Sequence, residues 1–218
     1  MENGLVVNQL TITRNGREIL RDCSFAVAPG ELLAVSGRNG AGKSTLLSSL
    51  MGYADSEIIS GDMLLNGTTL IGQPMYERAR RGLFLVHQEP PAIPGVSIAG
   101  AIRAQVEALR GSISIPVVQA DIREACAKLG LDESFSRRPL NDGLSGGEKK
   151  RAELLQLLVL RPHFVLVDEL DSGLDAAMIA IAVGIIADLR SQGVGCIVVS
   201  HSQSFIDALL PSNELKLG

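Results

Sequence analysis

Eight consecutive residues, Gly37-Arg38-Asn39-Gly40-Ala41-Gly42-Lys43-Ser44, constrain this chain more than any other segment. They stand between an apolar run, Leu32 to Ser36, and a stretch with helical spacing, Lys43 to Met51. A strand that turns through glycines into a helix lays successive backbone N–H groups around one small volume. That geometry needs positive φ and no Cβ atoms near the occupant. The helix N-terminus adds positive potential, so the turn is built for an anion. The fixed positions match the phosphate-loop pattern. In that pattern Lys43 reaches the β- and γ-phosphates as a point charge, Ser44 coordinates magnesium, and Thr45 bonds an α-phosphate oxygen.

A second segment completes such a site. Phe164-Val165-Leu166-Val167 reads as a fully buried strand, and it ends in Asp168 and Glu169. At the mouth of a nucleotide pocket, the first acid belongs near the magnesium shell and the second near the attacking water. Alone, two acids at a strand end are often just a solvated terminus or a helix cap. His201 directly follows another apolar run, Gly195 to Ser200, where its imidazole could contact the γ-phosphate or hold the water in line. His87 and His163 carry no comparable context and are read as structural.

The pattern around these motifs is that of an α/β protein. Leu5 to Thr13 and Glu18 to Val27 read as strands about an Asn15-Gly16 turn, a strong hairpin signal. Asp62 to Leu65 and Gly82 to Val86 read as further strands, and Ala176 to Leu189 as a helix. Between them the pattern turns mainly helical, with Ile98-Ile102-Val106-Leu109 and Val118-Ile122-Ala125-Leu129 at helical spacing. The expected architecture is a phosphate-loop NTPase core with a mixed or parallel sheet, an N-terminal antiparallel β part and an inserted α-helical subdomain. One domain spans residues 1–218, with 1–88 and 156–218 as core and 89–155 as insertion.

Composition narrows the partners. A net charge of -4 is a poor match to bulk nucleic acid, which needs a concentrated cationic surface. Cys23, Cys126 and Cys196 are odd in number and far apart, which reads as buried or free thiols in a reducing cytoplasm. The longest apolar run, Ala176 to Ala187, is too short to span a bilayer, and the first residues lack a basic leader. A cytoplasmic location is expected, with any membrane role carried by a partner.

Leu144-Ser145-Gly146-Gly147-Glu148-Lys149-Lys150-Arg151 is the segment that separates this chain from other phosphate-loop proteins. It resembles the signature motif of ATP-binding-cassette (ABC) ATPases, with Glu148 where glutamine is commoner. Physically, Ser145 with the N–H groups of Gly146 and Gly147 opens a helix running through Leu158, giving a second anion-ready helix start.

The resemblance explains why one chain would carry two. In that family two copies meet head to tail on ATP, and Ser145, Gly146, Gly147 and Glu148 would act on the other subunit's nucleotide. It further implies that Gln88 joins Ser44 and Asp168 around magnesium. Glu169, Lys43 and His201 would be catalytic, and Ser172-Gly173-Leu174-Asp175 would cross the dimer seam.

Three strings narrow the match: 88–96, 145–151 and 168–175. They are similar to the ATPases of Suf iron–sulfur assembly systems, whereas transporter ATPases more often carry Pro after the catalytic Glu, where this chain has Leu170. The implied partner is a scaffold resembling SufB, with or without SufD, reached through Gln88 to Val96 and the helical subdomain. The alternatives are the nucleotide-binding subunit of a membrane transporter and an ATP-gated dimerisation module with slow turnover.

Overall fold

A computed structural model describes residues 3–54 and 56–218. In chain order the elements begin with β1 (Leu5–Arg14), β2 (Arg17–Val27), β3 (Leu32–Gly37), α1 (Lys43–Met51), β4 (Glu57–Leu65) and β5 (Thr68–Thr69). Next come α2 (Met75–Arg80), β6 (Leu83–Val86), β7 (Ile93–Ser97), α3 (Ile98–Arg110), α4 (Ile115–Lys128), a 3-10 turn at Glu133–Arg137 and β8 (Pro139–Leu140). The rest are α5 (Gly146–Leu160), β9 (Phe164–Asp168), α6 (Ala176–Ser191), β10 (Gly195–Val199), α7 (Gln203–Leu209) and β11 (Asn213–Leu217).

The chain divides into two compact units. The first comprises Met1–Leu85, Pro162–Glu169 and Ile186–Gly218, and the second Val86–Arg161 and Leu170–Ile185. The second unit therefore takes in a segment, Leu170–Ile185, that lies outside the expected 89–155 insertion.

In the first unit, Asn15 and Gly16 both adopt positive φ and turn β1 into β2, as the sequence pattern requires. A four-stranded antiparallel sheet runs β2-β1-β4-β5, and a five-stranded sheet runs β11-β3-β10-β9-β6. Every residue of β9 and β10 is buried, which is why their sequences are apolar without alternation. Val35, Val199 and Asp168 stand abreast in parallel register. The loops that leave β3, β9 and β10 therefore emerge at one edge, the carboxyl ends where open α/β sheets bind ligands.

Arginines finish the helices. Arg78, only 4% exposed, donates to the carbonyls of Ser49 and Leu50 at the end of α1 and to Gln73. Arg190 does the same for Leu209 and Leu210 at the end of α7. The last carbonyls of a helix have no internal partner and carry partial negative charge, so a guanidinium there satisfies both hydrogen bonding and dipole.

In the second unit α3 and α4 pack against α5, and Ile98, Ile102, Val106, Val118, Ile122 and Ala125 are all buried. These are the positions whose spacing predicted helices. Arg110 caps the end of α5 on Val159 and Leu160. The stretch expected to be mainly helical also contains a strand: β7 pairs antiparallel with β8, matching Ile93 to Leu140. Its exposed residues, with Pro94 and Gly95 among them, show no alternation from which a strand could be read. Among the described residues no helix is long and apolar enough to cross a membrane.

Candidate nucleotide site and signature helix

The phosphate loop begins where β3 ends. Gly37 has φ 153° and Gly42 has φ 93°, left-handed values closed to most side chains. Space excludes a side chain there as well. A Cβ on Gly42 would sit 2.8 Å from Ile19 Cγ2 and 2.9 Å from Leu20 Cδ2, and one on Gly37 would sit 2.5 Å from the Leu217 carbonyl oxygen. The loop is thus clamped between β2 and β11, two elements from opposite ends of the chain. Arg38, Asn39 and Gly40 form its exposed crest, with Ala41 closing a turn back to the Arg38 carbonyl at 3.1 Å.

Lys43 is 6% exposed, and its Nζ donates to the carbonyls of Gly37 at 2.8 Å and Arg38 at 3.1 Å. An ammonium has three donors, so one remains for an oxyanion held in the loop. The Ser44 hydroxyl donates to Asp168 Oδ1 at 3.2 Å, joining the start of α1 to the end of β9. Two oxygen groups from distant parts of the sequence converge there, a donor set suited to a hard divalent cation. Thr45 follows, half-buried, in the first turn of α1.

Glu169 is a non-glycine residue in the left-handed region, at φ 49°, with its N–H donated to the Val199 carbonyl at 3.0 Å. Such a conformation costs on the order of 1 kcal/mol or more and persists only where surrounding bonds hold it. It turns the Glu169 carboxylate to His201, whose Nε2 lies 3.1 Å from Oε1. Glu169 is 17% exposed and His201 49%, so the pair opens to solvent on the imidazole side. The first unit therefore gathers Lys43, Ser44, Asp168, Glu169 and His201 at one edge of its parallel sheet.

The second unit holds the other predicted residues. Ser145 caps α5 in a reciprocal box: its Oγ accepts from Glu148 N at 3.3 Å, while Glu148 Oε2 accepts from Ser145 N at 2.9 Å. The Arg138 guanidinium grips the same carboxylate through Nη1 and Nη2. First that pairing, then the Ser145 backbone bond, holds the Glu148 carboxyl down to about 2.

Gly147 lies beside the 172–175 loop, with the Gly173 carbonyl 3.9 Å from where its Cβ would be. In that loop Ser172 and Gly173 are exposed, Leu174 N reaches the Asp171 carbonyl at 3.3 Å, and Asp175 caps α6 through Met178 N at 2.8 Å. Gln88 follows β6 in this unit and is exposed.

Sequence reasoning passed over two side chains here. Arg138, outside any motif, proves to anchor the signature helix. Glu153, 5% exposed within α5, accepts from His87 N at 2.9 Å, and Lys150 donates to the His87 carbonyl at 2.8 Å. A buried carboxylate in an apolar helix was the available signal, since such a group needs a donor.

His163 packs its ring against Gly82, as a structural histidine would. The three cysteines are buried free thiols, and burial pushes Cys196 up to about 12.

The geometry is that of a nucleotide-binding phosphate loop with an acidic strand end and a histidine beside it. The ABC transporter family pattern matches residues 20–172. A probable ABC transporter ATP-binding protein of Streptococcus pyogenes serotype M3 is 39% identical over 210 residues, covering 95% of this chain and 82% of that protein. The Escherichia coli K12 protein named probable ATP-dependent transporter SufC is 35% identical over 212 residues, covering 95% and 86%. Among solved structures, the cassette MJ0796, as a post-hydrolysis dimer with ADP and Pi, superposes with a TM-score of 0.84 at 20% identity. That match covers 98% of this chain and 94% of that one, and it is a likeness of fold. The chain belongs to the ABC transporter family, as an ATP-binding-cassette ATPase.

Proposed function

We propose that this ATPase works as a head-to-tail dimer on MgATP and drives a conformational change in an iron–sulfur assembly scaffold of the SufB/SufD type. The observation that carries the dimer is the presence of two anion-ready helix starts. α1 rises from the phosphate loop beside the acids of β9, whereas α5 opens in the other compact unit with exposed Ser145 and Gly146. A nucleotide on the phosphate loop of one copy would be covered by the helix start Ser145, Gly146, Gly147 and Glu148 of the second, the Glu148 carboxylate turned aside, with Ser172 to Asp175 along the seam. ATP can drive closure only through its differential affinity for the closed state, and the second copy's signature supplies that difference.

In the reaction ATP and water give ADP and phosphate. The loop N–H groups and the third proton of Lys43 bind the β- and γ-phosphates. Glu169 orients or deprotonates the attacking water, and His201, already held by Glu169, contacts the γ-phosphate. Magnesium, when bound, supplies positive charge to the phosphate oxygens. The Ser44 hydroxyl and Asp168 carboxylate would hold it, with Gln88 as the third ligand.

The assignment of the scaffold is supported by Leu170 to Asp175, by Gln88 to Val96, and by 35% identity to the E. coli protein. It is tested by mixing the purified chain with a SufB-like scaffold and ATP. Stimulated hydrolysis and a nucleotide-dependent complex are expected. Stimulation by a membrane permease in vesicles, with none by the scaffold, would reassign the protein as a transporter subunit.

A further inference from the structure

The start of α5 poses an electrostatic problem. A phosphate approaching the amides of Gly146 and Gly147 meets Glu148 in the same first turn of the helix. An unpaired carboxylate there would compete for those amides and repel the incoming anion. We infer that Arg138 is a positioning residue for nucleotide: it neutralises the Glu148 carboxylate and holds it aside, so that the signature amides can receive a phosphate. This rests on the reading of Ser145 to Gly147 as contacts to a second copy's ATP.

The contacts show how the carboxylate is held. Glu148 Oε2 is taken up by Ser145 N at 2.9 Å and Arg138 Nη2 at 3.4 Å, while Oε1 faces Arg138 Nη1. Neither oxygen is bonded to Gly146 or Gly147. Ser145 Oγ serves Glu148 N as an acceptor, so its own proton is left to donate to a phosphate oxygen. The space in front of Gly146 is open, with no atom within 4 Å of a built Cβ.

Arg138 is itself fixed from several sides. Its guanidinium stands 5.6 Å from the centre of the buried Phe135 ring, and Nη2 reaches the Gly143 carbonyl at 3.5 Å. Its own carbonyl accepts from Ile98 N at 2.9 Å, tying it to the start of α3. A guanidinium so placed presents a fork to both oxygens of one carboxylate, which a flexible ammonium does less well.

The test is a double-mutant cycle read in ATP-driven dimer formation and in the ATP concentration for half-maximal hydrolysis. Arg138→Gln is expected to raise that concentration about tenfold while leaving ADP binding to the single copy unchanged. In a Glu148→Gln background the same Arg138→Gln change is expected to cost less than about twofold, because no charge is left to neutralise.

An equal cost in both backgrounds, or no cost in either, would overturn the inference. Should Arg138→Gln fold poorly, Arg138→Lys keeps the charge, and an effect beyond about threefold at low salt counts against the electrostatic account. Gly147→Asp separates the layers. If a carboxylate placed on the signature amides leaves dimerisation and hydrolysis intact, the shared-site reading falls and takes this proposal with it. If Gly147→Asp abolishes both while Arg138→Gln is silent, only the role of Arg138 is lost.

Discussion

The two helix starts that define this ATPase are built in opposite ways. α1 springs from Gly42, a left-handed residue with no side-chain cap and no acid in the first turn. Lys43 adds a buried positive charge held by loop carbonyls. α5 springs from Ser145 with a complete capping box and an acid that Arg138 neutralises. The first has no side chain to cap it, whereas the second carries a complete cap of its own. A start of the first kind suits an anion without help from another copy. A site of the second kind suits a contact made only when another copy is near.

The largest effect should come from the residue proposed to serve the reaction beside the first start. Glu169→Gln is expected to lower steady-state ATP hydrolysis by about 10² to 10³-fold and to leave an ATP-bound dimer visible by size-exclusion chromatography. Hydrolysis at the parental rate would remove Glu169 from the catalytic role.

Glycine substitutions break the comparison directly. Gly42→Ala must place a methyl group among Ile19 and Leu20 at positive φ, so a loss on the order of 3 kcal/mol or more is expected in a denaturant melt. Gly146→Ala meets no atom within 4 Å and gains helix propensity, so its melt should be unchanged or raised by up to about 1 kcal/mol. Equal destabilisation at both positions would mean that the two starts are not differently constrained.

Removing the cap is a smaller change. Ser145→Ala should cost about 1 kcal/mol of stability, read from the same melts. Glu148 gives the finest test, through pH. Its carboxyl is held at about 2 in the folded chain, against 4.5 when unperturbed. A depressed folded value means that the unfolded chain binds the proton more readily. The stabilisation is therefore complete above pH 4.5 and is lost as pH falls towards 2. The stability difference between the parent and Glu148→Gln should be constant above pH 5 and shrink below it. A difference that stays flat down to pH 3 would show that Arg138 does not hold the carboxylate.

Much of the site was legible because it is written in short contiguous strings. Lys43 to Met51 forms the helix that its spacing predicts, and the Asn15-Gly16 turn joins the two strands around it. Glycines, acids after an apolar strand and a serine before two glycines each act locally, so local sequence reports them. The elements that escaped are those whose stability comes from elsewhere. β8 has two residues and exists through β7, whose own residues are largely exposed. β11, Asn-Glu-Leu-Lys-Leu, looks unremarkable alone, yet it pairs in parallel with β3 and its Leu217 carbonyl closes against Gly37. The short helices α2 and α7 were missed too, and α2 supplies the arginine that ends α1.

By itself, the sequence determined a glycine-lined turn into α1 with Lys43 and Ser44 at its start, and a second, serine-capped helix start at α5. Those are consequences of residue type at fixed short spacing. Tertiary structure turned the expected nearness of Asp168 and Ser44 into a hydrogen bond, and it alone decided that a strained Glu169 would face His201 and that Arg138 would grip Glu148. The first two depend on the parallel register of strands separated by long stretches of chain. The last depends on a buried ring and a strand start that turn one arginine towards the helix. Hydrogen bonds and charges act over a few ångströms, and only folding sets which distant residues come that close.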